Sequence, residues 1–194
     1  MLNLIGEIPG EFYALVTAVV TFGSVVFQRL RHRKKLRFIE AMKKLSKTLD
    51  CMKEIIYETS ADRVLIFAGH NSGGVPRATS PFYVSVMHYV YRDESVSIMA
   101  KDYKKLCVDA HYIDMLIQIF ARGYYHFRTD RERDCLLKNF YTAERVTDSL
   151  LFYLHNEENN MFFMSVAKIG GYFSEEEQTR LQLKSSQIAN LMKE

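Results

Sequence analysis

Tryptophan is absent from the 194 residues, and the only three prolines, Pro9, Pro76 and Pro81, all fall in the first half of the chain. A sequence so poor in proline and free of low-complexity tracts leaves no place for a long disordered linker. Cysteine is scarce as well, with Cys51, Cys107 and Cys135 far apart. Three scattered thiols make neither a disulfide framework nor a CxxC metal site, and they fit a reducing compartment. Also missing are a GxSxG elbow, a P-loop and a zinc-protease signature. The expectation is a protein that is not an enzyme and carries neither metal nor cofactor.

A surplus of one charge is lacking too, once the charges are located. The formal net charge is +3, but six Lys/Arg residues and no acid lie between Arg29 and Arg37. Removing those six from the 26 basic residues, and Glu7 and Glu11 from the 23 acidic ones, leaves 20 against 21 for residues 38–194. No broad basic face remains to neutralise phosphates, so nucleic acid is not an expected partner.

What is present begins with an apolar run. Phe12 to Phe27 (FYALVTAVVTFGSVVF) holds no charged residue. Sixteen residues at helical rise span about 24 Å, short of a hydrocarbon core of about 30 Å. Gln28 and Leu30 extend the run, and long Arg side chains snorkel to the interface. The basic cluster RLRHRKKLR follows immediately. By the positive-inside rule the N-terminus lies outside and the remainder in the cytoplasm. This predicts a single-pass inner-membrane protein, with a transmembrane helix over 1–28 and a basic juxtamembrane segment over 29–37. A cleaved signal peptide would carry its charge before the run and a small-residue cleavage site after it. A buried core helix and an interfacial helix are the remaining alternatives.

Phe38, Met42, Leu45, Leu49, Met52 and Ile56 then recur at spacings of four and three, a heptad seam in a helical stalk over 38–60. Such a seam suits a parallel homodimer through residues 38–56 and the C-terminal helix, or an amphipathic helix lying on its own domain. The two combine if the first half zips to a partner and the second half packs inward.

Residues 61–194 read as one domain. RVLIFAG (63–69) is a buried strand, 70–80 a loop, and FYVSVMHYVY (82–91) a strand with bulky residues on both faces. A helix follows over 109–120, apolar at Ile113, Leu116, Ile117 and Phe120 and widened by Tyr112, Met115 and Ile119. Next come Gly123, a strand over 124–128, and a helix that Thr129 and Glu132 would open as a capping box. DSLLFYLH (148–155) and MFFMSVAK (161–168) flank a polar turn as a hairpin, Gly170-Gly171 ends it, and Ser174 and Glu177 open a final helix. The fold class is α+β, an antiparallel sheet flanked by helices.

The long entry helix, RVLIFAG and the closing Phe173-Ser174-Glu175-Glu176 with Gln187-Ile188-Ala189 resemble the GAF domain family over about residues 38–194. That resemblance implies a sheet of about six strands, entry and terminal helices on one face, and room for a small-molecule pocket on the other. Tyr83, Ser85, Met87 and Tyr89 would wall such a pocket, with His111, Tyr112 and Asp114 on the 109–120 helix and His126 and Arg128 opposite. The same tyrosines serve equally as core residues. The cyclic-nucleotide signature of the family is missing, and the cysteines do not map onto its sulfoxide reductases. Two functions follow as expectations: a membrane-anchored sensory or regulatory module binding a small cytoplasmic ligand or a protein partner, or a degenerate domain with a filled pocket serving as a membrane-bound interaction subunit.

Overall fold

A computed structural model describes residues 10–71, 80–93, 103–157 and 159–193, with the side chains of 10–20 and 24–25 outside that description. The chain divides into two units, Met1–Lys43 and Lys44–Glu194.

In the first unit the backbone is helical from Gly10 onward, as part of α1 (Gly10–Glu58). Phe38 and Met42, the first two seam positions, are 67% and 49% exposed. Among the described residues no helix is long and apolar enough to cross a membrane. The run 12–27 lies largely outside the described side chains, so the expected span is not tested there.

The second unit is a six-stranded antiparallel sheet in the order β3-β2-β1-β6-β5-β4, built from β1 (Arg63–His70), β2 (Tyr83–Tyr91), β3 (Leu106–Cys107), β4 (Tyr124–Arg128), β5 (Val146–Glu157) and β6 (Asn160–Ile169). β1 sits at the centre and is buried at seven of its eight positions, because both faces of the sheet are covered. On one face lie residues 44–58 of α1 together with α4 (Glu175–Met192). Met52, Ile55 and Ile56 there meet Leu181, Ile188 and Ala189 over Val64, Ile66, Phe152 and Met164. The second half of the stalk therefore packs on its own domain. On the other face, α2 (Ala110–Arg122) and α3 (Leu136–Ala143) cover Leu65, Phe67, Leu151, Phe163 and Ala167.

Local signals account for much of this. Ser174 caps α4 and shares a full capping box with Glu177. Gly170 and Gly171, at φ 74° and 89°, turn the chain out of β6 in a region closed to most side chains. The Arg92 guanidinium donates to the carbonyls of Ile56, Thr59 and Ala61, satisfying orphan acceptors where α1 ends.

Two expectations are corrected. The 109–120 helix does not bury Ile113, Ile117 and Phe120, which are 38%, 60% and 57% exposed. It buries Leu116, as expected, together with Tyr112, Met115 and Ile119 from the widening side, because α2 docks on one side of an apolar band too wide to fit wholly inward. Thr129 and Glu132 open no helix. The Thr129 hydroxyl donates to the Val146 carbonyl and Glu132 accepts from the Tyr125 hydroxyl, so α3 starts seven residues later, capped by Cys135. The two-residue β3, too short to carry a period, completes the six strands that the resemblance implied. The expected 70–80 loop falls mostly on residues 72–79, outside those described.

Glu177 does more than cap. Its Oε1 accepts from the Ser60 amide (2.7 Å) and its Oε2 from that of Ser174 (2.9 Å), tying the end of α1 to the start of α4. Burial works to raise its pKa, but the hydrogen bonds from Ser60 and Ser174 outweigh that and hold it at about 2, against an ordinary 4.5. A carboxyl depressed in the folded state stabilises above the unfolded pKa, and the stabilisation disappears as pH falls from 4.5 towards 2. The group is half-buried and its surroundings reach solvent, so after screening the effect is about 1 kcal/mol. E177Q should lower stability by that amount at neutral pH and flatten the denaturation profile between pH 4.5 and 2. An unchanged acid limb in urea melts would refute this role.

Candidate functional site

The face of the sheet under α2 and α3 is where polar groups gather. β1 opens on Arg63, whose side chain shares that face with Leu65 and Phe67. Arg63 is 1% exposed and forms an ion pair with Glu144, at the C-terminal end of α3. Its guanidinium lies 5.9 Å from the ring centroid of Tyr103 and 5.4 Å from that of Tyr141. Burial works against the Arg63 charge, but Tyr103, Tyr141 and Glu144 more than offset it, so the pKa stands above the ordinary arginine value. Burial drives the hydroxyls of Tyr103 and Tyr112 upward, keeping both neutral.

Around the pair aromatic rings contact one another. Phe67 stacks on Phe163 at 5.0 Å and meets Tyr103 edge-on at 5.6 Å, while Tyr103 contacts Phe140 at 5.2 Å. The Tyr141 hydroxyl forms a closed triangle with Ser149 and Ser165 at 3.0 to 3.1 Å. Four polar atoms in this space, Arg63 Nε and Nη2, Glu144 Oε1 and the Tyr103 hydroxyl, are buried without a hydrogen-bond partner among the described residues.

Asp109 organises the helices that form this wall. Its Oδ1 accepts from the Tyr112 amide and its Oδ2 from that of Leu136, each at 2.8 Å. One carboxylate thus caps the N-termini of α2 and α3 together, where two helix dipoles converge.

The residues singled out from the sequence do not form one wall. β2 carries a bulge opposite Ile66/Phe67, so its alternation reverses around Met87. Tyr83 and Ser85 lie on the face away from α2, where Ser85 Oγ is 3.1 Å from His70 Nε2. Met87 and Tyr89 are 52% and 55% exposed. On α2, Tyr112 is 1% exposed core and Asp114 is solvent-facing. His111 stands 3.4 Å from Glu132, which also accepts from Tyr125. Burial, with that bond, pushes the Tyr125 hydroxyl up to about 12. His126 and Arg128 alternate with Tyr125 and Phe127 and so face the other way. His126 Nε2 lies 2.7 Å from Asp148 Oδ1, and Arg128 packs on the Tyr172 ring at 3.9 Å. The strand period of two separates them from the α2 groups.

Arg63, Glu144, Tyr103 and Tyr141 were not named from the sequence. One signal pointed there: an arginine heading the apolar run 64–69.

No family model matches the chain, and no curated protein matches it. Solved structures do. The GAF domain/HD domain protein from Geobacter sulfurreducens aligns with a TM-score of 0.52 at 10% identity, covering 75% of this chain and 89% of that one. A GAF domain from Synechocystis sp. PCC6803, in its photoproduct state, aligns at 0.51 and 13%, covering 75% and 90%. The fold is GAF-like. The GAF domain region of a putative membrane protein from Geobacter sulfurreducens PCA gives 0.50 at 14% identity, over 77% of this chain and 95% of that one. At such identities the likeness concerns architecture alone. In this GAF-like domain the Arg63–Glu144 cluster lies on the face opposite the entry and terminal helices, as the sequence resemblance implied for a pocket.

Proposed function

We propose that this chain is a non-enzymatic, membrane-anchored regulatory module of GAF-like fold that acts through protein contacts, its interior occupied by its own side chains. The observation that carries this reading is the buried Arg63–Glu144 pair, packed among Tyr103, Tyr141, Phe67 and Phe163 on the face where the family resemblance implies a pocket. The polar residues nearby are engaged in structural bonds, Asp109 on two helices and Tyr141 on two serines, which supports a non-catalytic role. The apolar run 12–27 and the basic segment after it support anchoring with the domain in the cytoplasm.

A second reading, a sensor for a small polar ligand, draws on the unpaired atoms of Arg63, Glu144 and Tyr103. Native mass spectrometry of the full chain, released from detergent after purification from cells, separates the two. The first reading expects the bare protein mass, and a stoichiometric co-purifying small molecule would replace it with the second.

Dimerisation belongs to the same proposal. Leu49 packs against the domain's own core, so the seam available to a partner is its first half, at Phe38 and Met42. F38K/M42K should turn a dimer into a monomer in light scattering with the domain's melting temperature unchanged. A wild-type chain already monomeric at micromolar concentration would dispose of the coiled coil.

A further inference from the structure

Arg29, Arg31, Arg33, Lys34, Lys35 and Arg37 lie on continuous helix, all exposed, and no acid among the described residues pairs with any of them. Their placement around that helix is informative. At about 100° per residue, the six directions leave no gap wider than about 120°. His32 stands in that gap. The charge forms a collar, with no polar side.

A nucleic-acid duplex meets a helix along one face in a groove, and binding there concentrates basic residues in a stripe. A charged surface that a helix passes through meets it on every side. The collar is about 12 Å long at helical rise, comparable with one headgroup layer plus a Debye length. It directly follows the uncharged run 12–27. Phe27, Leu30 and Leu36, at 66%, 53% and 52% exposure, offer apolar contact among the charges.

We infer that residues 29–37 form an anionic-phospholipid collar, gathering phosphate headgroups of the cytoplasmic leaflet around the helix. This rests on the membrane-anchored reading and adds to it a lipid preference. Each Lys or Arg beside an anionic surface multiplies partitioning about fivefold, and salt weakens the effect. The collar is thus strong enough to select lipids even where the apolar run alone holds the chain in the bilayer.

The test uses the full chain with vesicles of phosphatidylcholine alone, or with a minor share of phosphatidylglycerol, followed by flotation and analysis of lipids retained in nanodiscs. The variant replaces all six basic residues by Gln, at exposed positions outside the folded domain. The collar expects wild type to retain phosphatidylglycerol several-fold above its bulk share at low salt, with the excess lost at high salt and in the variant. Flotation with both vesicle types but no enrichment overturns the collar and leaves the anchor standing. Flotation only with phosphatidylglycerol, reversed by salt, upholds the collar and removes the spanning helix. Flotation with neither ends both, and charge-dependent binding to a short RNA duplex without lipid enrichment overturns the collar in favour of nucleic acid.

Discussion

Replacing Arg63 by Met, or Glu144 by Leu, should destabilise the domain by about 3–5 kcal/mol, because either change strands one charge in the interior without its partner. For a unit of this size that amounts to roughly 10 °C in melting temperature. Both side chains are almost fully buried, at 1% and 3% exposure, so water cannot compensate the survivor. Replacing both at once has the opposite character. R63M/E144L removes the desolvation cost along with the attraction and should recover to within about 1–2 kcal/mol of wild type, or exceed it. Chemical denaturation of the four proteins measures the coupling directly. If the double variant is as unstable as the sum of the singles, the pair is not the closed unit described above.

Asp109 carries the second large effect. D109A removes the acceptor from two helix N-termini at once, and at about 1 kcal/mol or more per cap the loss should reach about 2–3 kcal/mol. D109N keeps one carbonyl oxygen and should fall near half of that. The graded series is diagnostic, because an ordinary single cap would make Asn almost as good as Asp. Hydrogen exchange sharpens the test: the Leu136 amide, bonded to Asp109 Oδ2 at 2.8 Å, should lose protection in D109A. Equal stability of D109N and wild type would mean that only one of the two bonds matters.

Asp109 also shows where sequence reasoning stops. It stands at the start of the 109–120 helix expected from the sequence, and there it is the N-cap of α2. That it reaches a second helix 27 residues away is a product of packing. Much the same holds for Thr129 and Glu132, whose spacing is that of a capping box. Glu132 is drawn instead to Tyr125 and His111, and a contact across strands displaced the local motif. The motif at Ser174 and Glu177 survived because Ser60, its distant neighbour, adds a donor to the same carboxylate. Local signals held where tertiary contacts reinforced them.

The candidate site was less legible than the fold. Aromatic and histidine residues at alternating positions drew attention to β2 and β4. One bulge in β2 reversed the faces there, and β4 presents His126 and Arg128 to the side away from α2. The ion pair at the heart of the cluster joins residues 81 positions apart, a separation with no period to read.

By itself the sequence determined the hairpin of β5 and β6, the apolar central strand, the final helix and the α+β class. It also located the uncharged run beside a basic segment. All of these follow from hydrophobic period, turn residues and caps within a few positions of one another. Tertiary structure alone decided which side of α2 is buried, where α3 begins, which face each β2 residue takes, and that Arg63 meets Glu144. Those outcomes depend on the docking of elements far apart in the chain, where an apolar band wider than its contact, or a single extra residue in a strand, leaves the local pattern with more than one solution.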